Sequence, residues 1–184
     1  MAKKSNRAKI DENLESQDDG VRWYFGYLPE VLDNVSTASP ALAYCFQLIE
    51  SAQRTGLYAL IMREYRTDSA LTWSAVDRLD ITRKSFPELF NAITGKSLGI
   101  AGRDIIAPAE AVRDAIMHGR TKSEAELHKA ILNCLEYVEF INDEFEAKAG
   151  FRPVGPLRGV TSKKGAPQLP KKVSRVVLHG LGLR

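Results

Sequence analysis

The sequence predicts an all-α fold, a bundle of about five or six helices with a polar N-terminal arm and a basic, Pro/Gly-rich C-terminal tail. Three observations carry this. Apolar residues recur at helical spacing across the middle of the chain. Pro29, Pro40, Pro87 and Pro108 each fall near a helix start. No convincing strand pattern occurs between residues 20 and 150. The divisions are 1–20 for the arm, 21–149 for the helical domain and 150–184 for the tail.

Residues 1–20 are polar and charged, with Lys3, Lys4, Arg7 and Lys9 followed by Asp11, Glu12, Asp18 and Asp19. They read as disordered or weakly helical. Trp23, Tyr24, Phe25, Tyr27 and Leu28 form an aromatic cluster, which anchors the first helix to the core or offers bases a stacking surface. Ser39-Pro40 opens the longest early helix, over about 40–66, with Leu42, Cys45, Phe46, Ile49, Leu60 and Ile61 inward. Gly56 interrupts it at modest cost. Asp68 or Ser69 caps a helix reaching about Leu79, and Ser85-Phe86-Pro87-Glu88 opens a short one. Residues 94–104 read as a glycine-rich loop, and a helix follows over about Pro108–His118, ended by Gly119. Ser123 and Glu126 fit a capping box for the last helix, over about 123–148. Its stripe is Leu127, Ile131, Cys134, Leu135, Val138, Ile141 and Phe145. In the tail, Val173–Leu178 reads as a short strand or a docking peptide.

A chain of 184 residues buries a core without disulfides or metal. No run approaches the ~18 apolar residues of a membrane span, and the start of the chain has no signal-peptide apolar region. Cys45 and Cys134 are too few for a disulfide scaffold or a Cys-rich zinc site. Secreted, membrane, collagen-like and zinc-ribbon readings are excluded, and a cytoplasmic soluble protein is the expectation.

The net charge of +3 conceals a split. From Phe151 to Arg184 there are eight basic residues and no acid, so the first 150 residues carry a net charge of −5. Such asymmetry suits a polyanion or an acidic protein partner, and equally a tail docked on its own acidic body.

Most catalytic motifs fail. Thr94-Gly95-Lys96-Ser97 has the end of a phosphate-binding loop, but Phe90 stands where the first glycine is required and no strand precedes it. His118, His128 and His179 form no paired zinc motif. Cys45 and Cys134 sit among apolar helix positions, as buried structural thiols do.

What remains is Arg113-Asp114-Ala115-Ile116-Met117-His118-Gly119-Arg120. An arginine, a polar neighbour and a histidine close one helix just before another long helix. This stretch resembles the signature of the HEPN superfamily: Arg, usually a polar residue next, then His after four to six intervening residues. Arg113 and His118 have four between them, Asp114 fills the polar place, and a glycine follows the histidine. The resemblance spans roughly residues 21–148, within the all-α bundle the helical periodicity predicts.

These residue types suit RNA cleavage. His118 can take the ribose 2′-hydroxyl proton or protonate the leaving 5′-oxygen near neutral pH. Arg113 can hold the scissile phosphate, and Asp114 can orient either. The route calls for no metal or other cofactor and leaves DNA inert. Five residues of ideal helix turn a side chain by about 500°, so Arg113 and His118 do not project side by side. Either the helix ends before His118, or a second chain completes the site. The resemblance implies the second answer: an isologous homodimer with two motifs across one cleft. Arg120, Lys122, Lys163, Lys164, Lys171, Lys172 and Arg175 are the expected phosphate contacts. The expected partner is therefore RNA, the expected activity a metal-independent endoribonuclease acting as a toxin or defence effector. The alternative is a non-catalytic module that dimerises or binds a nucleotide or a protein, the latter through the tail. The motif residues would serve structure alone if Arg113 paired with an acid such as Glu110 and His118 capped its helix.

Overall fold

The computed structural model describes residues 6–82, 84–155, 157 and 167–183. Among them are nine helices and no strand. They are α1 (Asn6–Ser16), α2 (Asp19–Tyr24), α3 (Leu28–Asp33), α4 (Ser39–Tyr65), α5 (Ser69–Asp77), α6 (Ser85–Thr94), α7 (Ala101–Met117), α8 (Glu124–Ala149) and α9 (Lys171–Gly180). The all-α expectation holds, with more helices than expected. The contacts divide the chain into two compact units where one helical domain was expected. The first holds the described residues up to Ile49 with Ile100–Asn142, the second Glu50–Gly99 with those from Asp143 onward. Helices α4 and α8 are each shared between the units.

In the first unit the core is built from Val21, Phe25, Leu42, Cys45, Ile131 and Cys134, all buried. Asp18 caps α2 by accepting the Val21 N–H at 2.9 Å. The N-terminal segment is not a free arm over its described part. Ile10 and Leu14, one turn apart on α1, are both buried. Arg7 pairs with Asp11 at 3.1 Å and with Asp33 at 2.8 Å. Burying two apolar side chains offsets the poor helix signal of a polar segment. The aromatic cluster splits: Phe25 and Leu28 enter the core, whereas Trp23 and Tyr27 are exposed.

Helix α7 starts seven residues earlier than its proline implied. Pro108 lies inside it and the glycine-rich loop is correspondingly shorter. A proline within a helix costs a hydrogen bond. Packing offsets that here, because Gly102 and Ile106 of the first turns are buried. At Gly102 the Phe140 ring leaves no room for a Cβ.

In the second unit the core centres on Phe145. Its ring lies 4.8 Å from Phe90, 5.5 Å from Phe151 and 6.0 Å from Phe86, centroid to centroid. Gly56 has a reason to be glycine: a Cβ there would come within 2.9 Å of Pro153 and 3.2 Å of Phe145. Asp68 caps α5 through the Leu71 N–H at 3.0 Å.

The tail is not an extended appendage over its described part. Phe151, Pro153 and Val154 are buried directly after α8. Residues 171–180 form a helix, not a strand, and α9 packs on α5. Ser174 and Leu178, at i and i+4, face inward. The Ser174 hydroxyl accepts the Asp68 N–H at 2.8 Å and donates to the Leu169 carbonyl at 3.2 Å. Just before α9, the Leu169 N–H donates to the carbonyl of Arg66, which holds a left-handed φ of 53°.

Candidate functional site

The motif residues sit where α7 ends, and the chain ends it by a local device. His118 is the C-cap residue. Gly119 follows with φ +75°, a conformation in which glycine carries no steric penalty. The Gly119 N–H donates to the Ile116 carbonyl and the Arg120 N–H to the Ala115 carbonyl, both at 2.9 Å. This is the Schellman arrangement. The helix thus stops before His118, the first of the two conditions set by helical geometry. The His118 imidazole is exposed, and its backbone N–H donates to the Asp114 carbonyl at 3.0 Å.

Arg113 is half-buried. Its guanidinium carbon lies 4.5 Å from the centroid of the Phe46 ring, a cation–π contact. Its Nη2 and Nε lie 3.2 and 3.3 Å from Asp114 Oδ1. The Asp114 carboxylate thus faces the arginine.

Around Gly119 the chain lines a concavity of about 300 Å³ with Ile116, Arg120, Thr121 and Lys122, joined by Thr37 and Ser39. Arg120 is exposed and makes no side-chain ion pair or hydrogen bond among the described residues. Lys122 differs, because its Nζ holds Glu126 Oε1 at 2.9 Å. The capping box of α8 is formed: Ser123 N–H reaches Glu126 Oε2 at 2.9 Å and Glu126 N–H reaches Ser123 Oγ at 3.4 Å. The Ser123 N–H, the Lys122 ammonium and the Ser123 hydroxyl push the Glu126 carboxyl down to about 2. Arg113, Asp114, His118, Arg120 and Lys122 thus follow one another on one helix end and the turn after it; Arg120 and Lys122 line the concavity, and Arg113, Asp114 and His118 do not.

The remaining phosphate contacts expected from sequence lie elsewhere. Lys171, Lys172 and Arg175 are on α9 in the second unit, and all three are exposed. Lys163 and Lys164 lie outside the described residues. The contact sequence reasoning missed is Phe46 beneath Arg113, since nothing local links positions so far apart in the chain.

Other candidates resolve into structure. Cys45 and Cys134 are fully buried, and burial pushes the Cys45 thiol up to about 12 and the Cys134 thiol up likewise. His128 lies 3.9 Å from Glu124, one turn back on α8. Thr94-Gly95-Lys96-Ser97 closes α6: Gly95 is left-handed at φ 69°, and the Thr94 hydroxyl donates to the Phe90 carbonyl at 2.8 Å. A helix C-terminus presents carbonyls, the wrong polarity for a phosphate. Among the described residues no group of three or more His, Cys, Asp or Glu could hold a metal ion, and no helix is long and apolar enough to cross a membrane.

Comparison with models of known protein families, with curated proteins and with solved structures finds no match.

Proposed function

We propose that the chain is a metal-independent endoribonuclease of HEPN type, with His118 and Arg113 at its centre. The observation that carries this reading is an exposed histidine at the end of α7, followed at once by Arg120 and Lys122 on a concavity. The imidazole is open to solvent and free to exchange protons with a bound ribose. Arg120 offers an uncommitted cation to an RNA phosphate. Arg113, preset by Asp114 and Phe46, would hold the scissile phosphate, and a homodimer would bring two such motifs to one cleft. Lys171 and Lys172 would add sequence-independent phosphate contacts. A toxin or defence role accords with that activity.

In EDTA the purified protein is expected to cut single-stranded RNA, leaving a 2′,3′-cyclic phosphate, and to spare DNA of the same sequence. His118→Ala is expected to abolish cleavage with the helical circular dichroism retained. Equal behaviour of wild type and variant sinks the proposal.

One observation favours a second reading, a non-catalytic dimerisation, nucleotide-binding or protein-interaction module. Arg113 is stacked and ion-paired, as a packing arginine is. Under that reading Arg113→Ala lowers stability and no RNA is cut.

A further inference from the structure

The second unit contains a cleft that the nuclease reading does not use. It lies between α5 and α9, with a volume of about 500 Å³, within the range of small-molecule sites. Its floor is aliphatic, made by Leu71, Ala75 and Leu178. Ser74 and Ala75 are small, and that leaves the space between the helices open. Arg78, Arg175 and His179 line the same cleft, and among the described residues no Asp or Glu does. Arg78 is held in place, with Nη2 donating to Ser74 Oγ at 2.6 Å. Arg175 makes no side-chain hydrogen bond or ion pair among the described residues. Two arginines and an imidazole beside an aliphatic floor are complementary to one kind of molecule: an anionic head on an aliphatic body. A nucleobase is a poorer match, because among the described residues no Phe, Tyr or Trp ring lines the cleft for it to stack on.

We propose that the α5–α9 cleft binds a small anionic amphiphile, an alkyl chain bearing one carboxylate or phosphate head, with the head on Arg78 and Arg175 and the chain over Leu71, Ala75 and Leu178. The site stands independently of the nuclease reading and of His118.

Isothermal titration calorimetry on the full chain tests it, with decanoate and decyl phosphate as probes below their micelle concentrations. One of them at least is expected to bind saturably, one per chain, and the tighter of the two identifies the head group. Decanol, which lacks the charge, and inorganic phosphate, which lacks the chain, are each expected to bind at least about tenfold more weakly. Arg78→Gln and Arg175→Gln are each expected to weaken the anionic probe by at least about tenfold. Both side chains are exposed, so the fold should persist. Ser74→Leu fills the cleft and should lose binding with both arginines intact. Lys172→Gln, on α9 but outside the cleft, should leave it unchanged. The proposal is overturned if neither anion binds or if decanol binds as well. It is equally overturned if both arginine variants match wild type, or if Lys172→Gln costs as much as they do.

Discussion

The turn after α7 and the helix α9 both present cations beside a helix end, and they are held in opposite ways. At the α7 end the devices that stop one helix and start the next are local. A Schellman turn stops the helix, a capping box starts the next, and His118 and Arg120 are left exposed. At α9 the decisive contacts come from far along the chain. Ser174 is fully buried and takes the N–H of Asp68, 106 positions away. Leu178 is 4% exposed. The difference teaches that a cluster of basic residues says little about whether a segment is anchored. Two buried residues one turn apart decided that for α9.

The largest test of this contrast is Leu178→Asp. A carboxylate would take an apolar buried position, at an expected loss of at least about 3 kcal/mol. The denaturation midpoint should fall and proteases should gain access to the C-terminal residues. An unchanged midpoint would mean that α9 is an appendage after all.

A smaller effect separates the two ends directly. Ser174→Ala leaves the Asp68 N–H and the Leu169 carbonyl without this partner and should cost about 1–3 kcal/mol. Arg113→Ala removes a half-exposed ion pair and one cation–π contact, and should cost about 0.5–1 kcal/mol. Thermal melts of the two variants should rank them in that order, and the reverse order would place the stronger anchor at α7.

The smallest effect is in pH. The carboxyl of Glu126 is held at about 2, below its ordinary value, by the Ser123 N–H, Lys122 and the Ser123 hydroxyl. A depressed carboxyl contributes stability above its unfolded pKa, and that contribution disappears as pH falls from about 4.5 toward 2. Glu126→Gln should flatten the pH dependence of stability in that window and change nothing in it if the capping box is idle in solution.

The candidate site was largely legible because it is contiguous. Arg113, Asp114, His118, Arg120 and Lys122 lie within ten positions, and the glycine that ends α7 is visible beside them. The Phe46 ring under Arg113 was not legible, since its approach depends on how α4 and α7 pack. Pro108 misled for a related reason. Its local preference for a helix start was overridden by the burial of Gly102 and Ile106 ahead of it. The cleft was equally hidden: Arg78, at the C-cap of α5, and Arg175, on α9, lie far apart in the sequence.

By itself the sequence determined much of the central helices: the caps at Asp68 and Ser123, the stop at Gly119, and the apolar stripes of α4 and α8. Each of these depends on residues within about four positions of one another, the reach of a single helical turn. Only the tertiary structure decided that α1 and α9 join cores and that two distant arginines share one cleft. Those outcomes depend on which apolar surfaces meet, and a polar segment with two buried side chains looks locally like any solvated one.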